Sequence, residues 1–217
     1  NPAIHAEPAF IKGMIEVQDE GSQLAALLAG AKPGEHVVDL CAGAGGKTLA
    51  LAAAMHNQGP LYATDSDKRR LAPIQYRLAR SGARNARKVK VRMPKSVGTE
   101  LSDLAGRADL VLIDAPCTGI GTWRRNPDAK WRMRPGALEV RVKDQIAVLD
   151  RAAALAKPGG RIAYITCSVL PQENGEQIAR FLVRHPEFEI VSPAQTALAL
   201  GEHAAEFTAA TMQSAEG

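Results

Sequence analysis

Short apolar runs alternating with helical stretches constrain this 217-residue chain more than any other feature. The runs are His36 to Cys41, Leu61 to Asp65, Lys88 to Arg92, Asp109 to Pro116, Arg161 to Cys167 and Phe188 to Val191. Bounded by Gly, Pro or charged residues, they read as strands covered on both faces. Between them, Thr48 to His56, Asp67 to Arg80, Ala137 to Ala156 and Gln172 to Arg184 have helical character, and Gly21 to Ala29 supplies a helix before the first strand. Pro171 suits a first-turn position, whereas Pro73 should end or kink a helix. The alternation predicts an α/β, Rossmann-like fold with a doubly wound, mostly parallel sheet. Two segments break it: Thr118 to Pro135, a long loop of the kind that is usually functional or disordered, and a tail from Ser192 with no strand pattern.

In such a sheet ligands bind where the strands end. The first strand runs through Asp39-Leu40-Cys41-Ala42-Gly43-Ala44-Gly45-Gly46-Lys47-Thr48 into a helix. Glycines there permit a sharp turn and close backbone approach to a ligand, with helix N-terminal amides nearby. The spacing matches neither the Walker loop nor the dinucleotide fingerprint, in which Thr48 would have to be Gly. Asp65, closing the second strand, can accept hydrogen bonds from both hydroxyls of a ribose. Asp39 would sit awkwardly beside a pyrophosphate but suits the positive end of S-adenosylmethionine. The residues thus favour a methyltransferase over an NAD-dependent oxidoreductase.

The chain has three cysteines and no Cys-x-x-Cys pair, so neither a disulfide framework nor a zinc site is indicated. A reducing cytoplasm is the expected compartment, with no metal. No apolar run has the length of a membrane span. Cys117 and Cys167 both sit at strand ends beside polar residues, and strands four and five should be neighbours, which would turn both thiols to one pocket. Cys41, in the glycine turn, reads as packing. The net charge is +4, and basic residues gather in Lys68-Arg69-Arg70, Arg77 to Lys95 and Trp123 to Arg134, a distribution that suits a polyanion.

The segments Asp39 to Thr48, Asp114-Ala115-Pro116-Cys117-Thr118-Gly119 and Thr166-Cys167-Ser168 resemble those of the RNA cytosine-C5 methyltransferases of the Sun (Fmu) family. Further similarity lies in Val17-Gln18-Asp19-Glu20-Gly21-Ser22, Arg124-Arg125-Asn126-Pro127-Asp128 and Val169-Leu170-Pro171-Gln172-Glu173-Asn174. The match runs from about Val17 to Asn174 and is nearest to bacterial members acting on small-subunit ribosomal RNA. The resemblance implies that Cys167 is the nucleophile, that Cys117 assists product release and that Asp114 holds or protonates N3 of the base. It also implies S-adenosylmethionine contacts from Cys41, Ala42, Gly43, Ala44, Gly45, Gly46 and Lys47, from Asp65 and from Asp114, beside the Asp39 already noted. A DNA cytosine methyltransferase would carry its nucleophile in the Pro-Cys segment instead, so Thr166-Cys167-Ser168 is the feature that points to RNA.

Arg124, Arg125, Lys130, Trp131 and Arg132 in the long loop are the expected RNA contacts, through phosphate pairing and base stacking. Two departures from the family stand out: no carboxylate in Val91-Arg92-Met93-Pro94-Lys95 to meet the adenine amine, and Gly43-Ala44 where Ala-Pro is usual. Residues 1–30 read as an extension and lead-in helix, and 31–217 as the catalytic domain. An N-terminal RNA-binding domain and a final edge strand are expected to lie outside this chain, which is expected to act as a monomer. The alternatives are a non-catalytic RNA-binding scaffold that has kept the fold and a transfer-RNA cytosine-C5 methyltransferase.

Overall fold

The computed structural model describes residues 3–81, 89–92 and 101–205. Its sheet has β1 (Val37–Asp39), β2 (Leu61–Thr64), β3 (Val89–Arg92), β4 (Ala108–Asp114) and β5 (Ala156–Ile165) in the order β3-β2-β1-β4-β5. Every neighbouring pair is parallel. The chain moves outward from β1 to β3, then returns to place β4 on the other side of β1. A crevice therefore opens past the ends of β1 and β4, where connections diverge to opposite faces.

The strands are apolar on both faces because helices cover both. Val37, Leu110 and Leu112 point into a core with Leu51 of α3 (Gly46–Ala54), Met55 at its C-terminal cap, Leu61 of β2 and Ile74 of α5 (Ile74–Arg80). Val38, Val111 and Ile113 point the other way, to Leu149 of α7 (Ala137–Leu155) and Phe181 of α8 (Gly175–Arg184). This is the two-residue side-chain period of a strand. Ahead of β1 come α1 (Pro8–Ile11) and α2 (Glu20–Leu28), the latter capped by Asp19, whose side chain accepts from Ser22 N–H. Arg80 donates to the carbonyl of Phe10, stacks its guanidinium 3.8 Å from the Phe10 ring and pairs with Glu16, fastening this lead-in to α5.

Several boundaries move. The expected helix Asp67 to Arg80 is split at Pro73 into α4 (Lys68–Leu71) and α5, as a residue without an N–H requires. Pro171 opens a separate 3-10 turn, Pro171–Glu173, and α8 begins only at Gly175. The strand expected at Phe188 to Val191 is not formed. Phe188 packs on Phe181 at 5.4 Å between centroids, Ile190 is 68% exposed, and Ser192 then caps the short helix α9 (Pro193–Ala197). The loop after β4 contains a 3-10 turn, Ile120–Thr122, and the helix α6 (Ala129–Arg132). Lys88, Met93 to Lys95 and residues 206–217 lie outside the described residues, and with them most of the segment expected to lack the adenine-side acid. No helix among the described residues is long and apolar enough to cross a membrane.

Candidate active site

The glycine turn after β1 is held from below by its neighbours. Leu40 N–H donates to the Leu112 carbonyl at 2.9 Å and Ala42 N–H to the Thr64 carbonyl at 2.8 Å. Gly43 N–H donates to Asp65 Oδ2 at 2.9 Å. Gly45 caps α3 at φ +85°, in the left-handed region that glycine enters without steric cost. Over this turn lies an open cavity of about 320 Å³. Its walls include Cys41 to Ala44, Gly46, Lys47 and Asp114, together with Gln18 and Asp19 of the lead-in and Arg70 and Arg77 of α4 and α5.

That lining carries both signs of charge: Lys47, Arg70 and Arg77 against Asp19 and Asp114. A methionine moiety with carboxylate, ammonium and sulfonium groups needs such a mixture. A Cβ on Gly46 would stand 3.5 Å from Gln18 Nε2 and 3.8 Å from Arg77, at ordinary contact distance from both. The residues present therefore fit S-adenosylmethionine. Arg70 and Arg77, which the sequence offered as part of a basic face for a polyanion, instead border this cavity; Arg77 donates to the Ala44 carbonyl at 2.9 Å.

Of the acids expected to touch the donor only Asp114 lines the cavity; Asp39 and Asp65, like Gly45, are not among its walls. Asp65 is almost fully buried and braces the turn, taking Gly43 N–H on one oxygen and Asp67 N–H on the other, with Arg70 Nη1 at 3.9 Å. Each oxygen keeps a second lone pair for a ligand hydroxyl. Asp39 lies beneath the turn and is fully buried; Thr48 Oγ1 donates to its Oδ2 at 2.6 Å, and Oδ1 has no protein partner. Burial, against the Thr48 hydrogen bond, pushes Asp39 up to about 7. The folded state thus binds a proton more tightly than the unfolded chain, so this contribution to stability is full below about pH 4 and is lost as pH rises towards 7. Denaturant titrations of Asp39→Asn should show a shallower fall in stability between pH 4 and 7 than the parent; parallel curves would contradict the burial effect.

The thiols occupy the next crevice. β4 ends at Asp114 and β5 at Ile165, so Cys117 and Cys167 stand just past the strands rather than on them. Because β4 and β5 are adjacent and in register, Asp114 opposite Ile165, the loops run side by side and bring the two Sγ atoms to 3.3 Å. Gly121 N–H donates to the Cys167 carbonyl at 2.9 Å, and a Cβ there would come within 2.8 Å of that oxygen. Cys167 is exposed and Cys117 half-buried. The hydrogen bond from Cys167 brings Cys117 down to about 7, while the same bond and burial push Cys167 up. The pair gives up one proton easily and holds the second. Burial and three nearby carboxylates push Cys41 up to about 12, so the thiol stays protonated where it lines the cavity.

Lys47 Nζ is 2.8 Å from Asp114 Oδ2, linking the cavity to the thiol crevice. In the long loop Arg124, Arg125, Lys130, Trp131 and Arg132 are all exposed, Trp131 by 81%. Lys130 Nζ lies 4.8 Å from the Trp131 ring, and Arg125 pairs with Asp19, which lines the cavity. Trp123 is half-buried instead, its Nε1 enclosed without a partner. Glu173, to which no sequence pattern gives a role, is fully buried and hydrogen-bonded to both cysteine loops. A glutamate in a first turn reads as a solvated charge near the helix dipole, and only the position of Thr118 reveals otherwise.

The sequence profile of the 16S rRNA methyltransferase RsmB/F family matches residues 25–213. The ribosomal RNA small subunit methyltransferase B of Salmonella newport (strain SL254) is 37% identical over 186 residues, covering 85% of this chain and 42% of that protein. The crystal structure of PH0851 superposes with a TM-score of 0.77 at 40% identity, covering 86% of this chain and 42% of the other. That of NSun6 from Pyrococcus horikoshii with SFG does so with a TM-score of 0.71 at 29% identity, covering 85% and 46%. The chain thus spans less than half the length of these relatives.

Proposed function

The chain belongs to the 16S rRNA methyltransferase RsmB/F family, and we propose that it methylates cytosine C5 in small-subunit ribosomal RNA with S-adenosylmethionine as donor. The observation that carries this reading is the pair of thiols 3.3 Å apart beside Asp114, next to a cavity that suits the donor. C5 of cytosine is a poor nucleophile. Sulfur addition at C6, with a proton taken at N3, converts C5 into an enamine carbon able to attack a methyl group. The donor, when bound, supplies that electrophilic methyl.

The chain's residues do the rest. Cys167, the more exposed sulfur, bonds to C6 while its proton passes to the Cys117 thiolate. Asp114, fixed by Lys47, serves the N3 side of the ring. Water then takes the C5 proton, the C5=C6 bond re-forms and the Cys167 sulfur leaves as a thiolate. Cys117 returns to it the proton it took, and so assists release, while N3 gives its proton back to solvent. The base must leave its stack to reach the thiols. Arg124, Arg125, Lys130, Trp131 and Arg132 would hold the surrounding strand through phosphates and stacking.

The direct test is transfer of labelled methyl from S-adenosylmethionine to 16S ribosomal RNA and to transfer RNA, with the product base identified by mass. 5-Methylcytosine in ribosomal RNA is expected. Calorimetric binding of the donor with no transfer to either RNA would instead mark a scaffold that has kept the fold, and transfer to transfer RNA alone would reassign the substrate.

A further inference from the structure

The two catalytic loops are braced by a dipeptide outside them. Glu173 Oε1 accepts Thr118 N–H at 2.8 Å and Gln145 Nε2 at 2.9 Å, and Oε2 accepts the Thr118 hydroxyl. Thr118 directly follows Cys117. Gln145 Nε2 also reaches the Pro116 carbonyl at 3.0 Å, on the other side of the same cysteine. Asn174 does the corresponding work for Cys167: its Oδ1 accepts from Thr166 Oγ1 at 2.6 Å, and its Nδ2 donates to the Ser168 carbonyl at 3.0 Å. Tyr164 OH donates to the Glu173 carbonyl at 2.8 Å, tying the dipeptide to β5.

Glu173 is a fully buried carboxylate with no cation among its described partners. Burial opposes its ionisation, but hydrogen bonds from Ser168, Thr118 and Gln145 outweigh that and hold it below the usual carboxylate range. A buried charge is costly unless its lone pairs are filled. A glutamine of the same shape could not accept all of these donors, since its amide nitrogen only donates. The charge thus grips Thr118 by both its main chain and its side chain, with Gln145 and Ser168 as further donors.

We propose that Glu173 and Asn174 are positioning residues that set the Cys117–Cys167 separation, each gripping the residues that flank one thiol. The role rests on the proposed cytosine-C5 chemistry, in which both sulfurs must reach one base. Without Glu173 the Cys117 loop loses its hold on the Cys167 loop, the sulfur–sulfur hydrogen bond lengthens, and Cys117 can no longer assist release.

The test is the pH dependence of Cys117 alkylation by iodoacetamide, read peptide by peptide in Glu173→Gln, Asn174→Ala and the parent chain. Opening the pair should raise the apparent pKa of Cys117 from near 7 towards the ordinary thiol value of about 8.5. Loss of a nearby negative charge alone would move it down, so the direction separates positioning from simple electrostatics. Thr118→Val, which removes only the hydroxyl donor, should give a smaller rise and covers the case in which Glu173→Gln does not fold. With RNA, Glu173→Gln should lower kcat by up to about 10²-fold with KM little changed, and accumulate covalent adduct. An apparent pKa that stays or falls in every folded variant overturns the proposal. Alkylation needs neither RNA nor donor, so a parent chain that transfers no methyl would sink the functional reading and leave this result standing.

Discussion

Cys167→Ala is expected to lose methyl transfer by on the order of 10³-fold or more and to form no covalent protein–RNA species. Cys117→Ala is expected to accumulate that species as a band resistant to denaturing electrophoresis, with little free methylated product. The asymmetry follows from the geometry. Cys167 is the exposed sulfur, reachable by a base, while Cys117 is half-buried and hydrogen-bonded to it. Without Cys117, the proton of Cys167 must leave to solvent, so adduct formation should shift to higher pH, towards the ordinary thiol range of about 8.5. Adduct in Cys167→Ala but none in Cys117→Ala would exchange the two roles. Normal turnover in Cys167→Ala would remove covalent catalysis by this residue altogether.

Gly45→Ala should cost about 3 kcal/mol of folding stability, the sum of a left-handed backbone penalty and a steric one. Gly45 has φ +85°, and a Cβ there would lie 2.4 Å from Ile74 Cγ1. Ile74 is fully buried and β-branched, so it has nowhere to turn. The melting temperature should fall by roughly 6–12 °C, and calorimetry should show weakened S-adenosylmethionine binding because the turn forms the cavity floor. Gly34→Ala is the control: φ is +88°, but nothing lies within 4 Å, so only the backbone penalty of about 1–2 kcal/mol applies. Equal losses in the two variants would show that the clash with Ile74 is not the cause.

Much of the fold was legible because strand and helix periods are local. The runs around Val38, Leu61 and Leu112 announced buried strands, and Pro73 announced the break between α4 and α5. Phe188 to Val191 misled for the same reason: a short apolar run looks like a strand, but here Phe188 packs on Phe181 of α8 rather than pairing along the outer edge of β5. The glycine turn and the two cysteine motifs were also readable, since each lies within a few residues of a strand end.

What the sequence determined by itself was the inventory: an α/β chain with a glycine turn after its first strand, acids at strand ends and two thiols in separate motifs. What only the tertiary structure decided was which of these meet. The placement of β4 beside β5 brings sulfurs 50 residues apart in sequence to 3.3 Å. The same packing turned Arg70 and Arg77 from an apparent basic face to the cavity wall and buried Glu173 against Thr118. Backbone patterns depend on neighbours within a few residues, whereas a side chain's charge state and partners depend on whatever the fold sets against it.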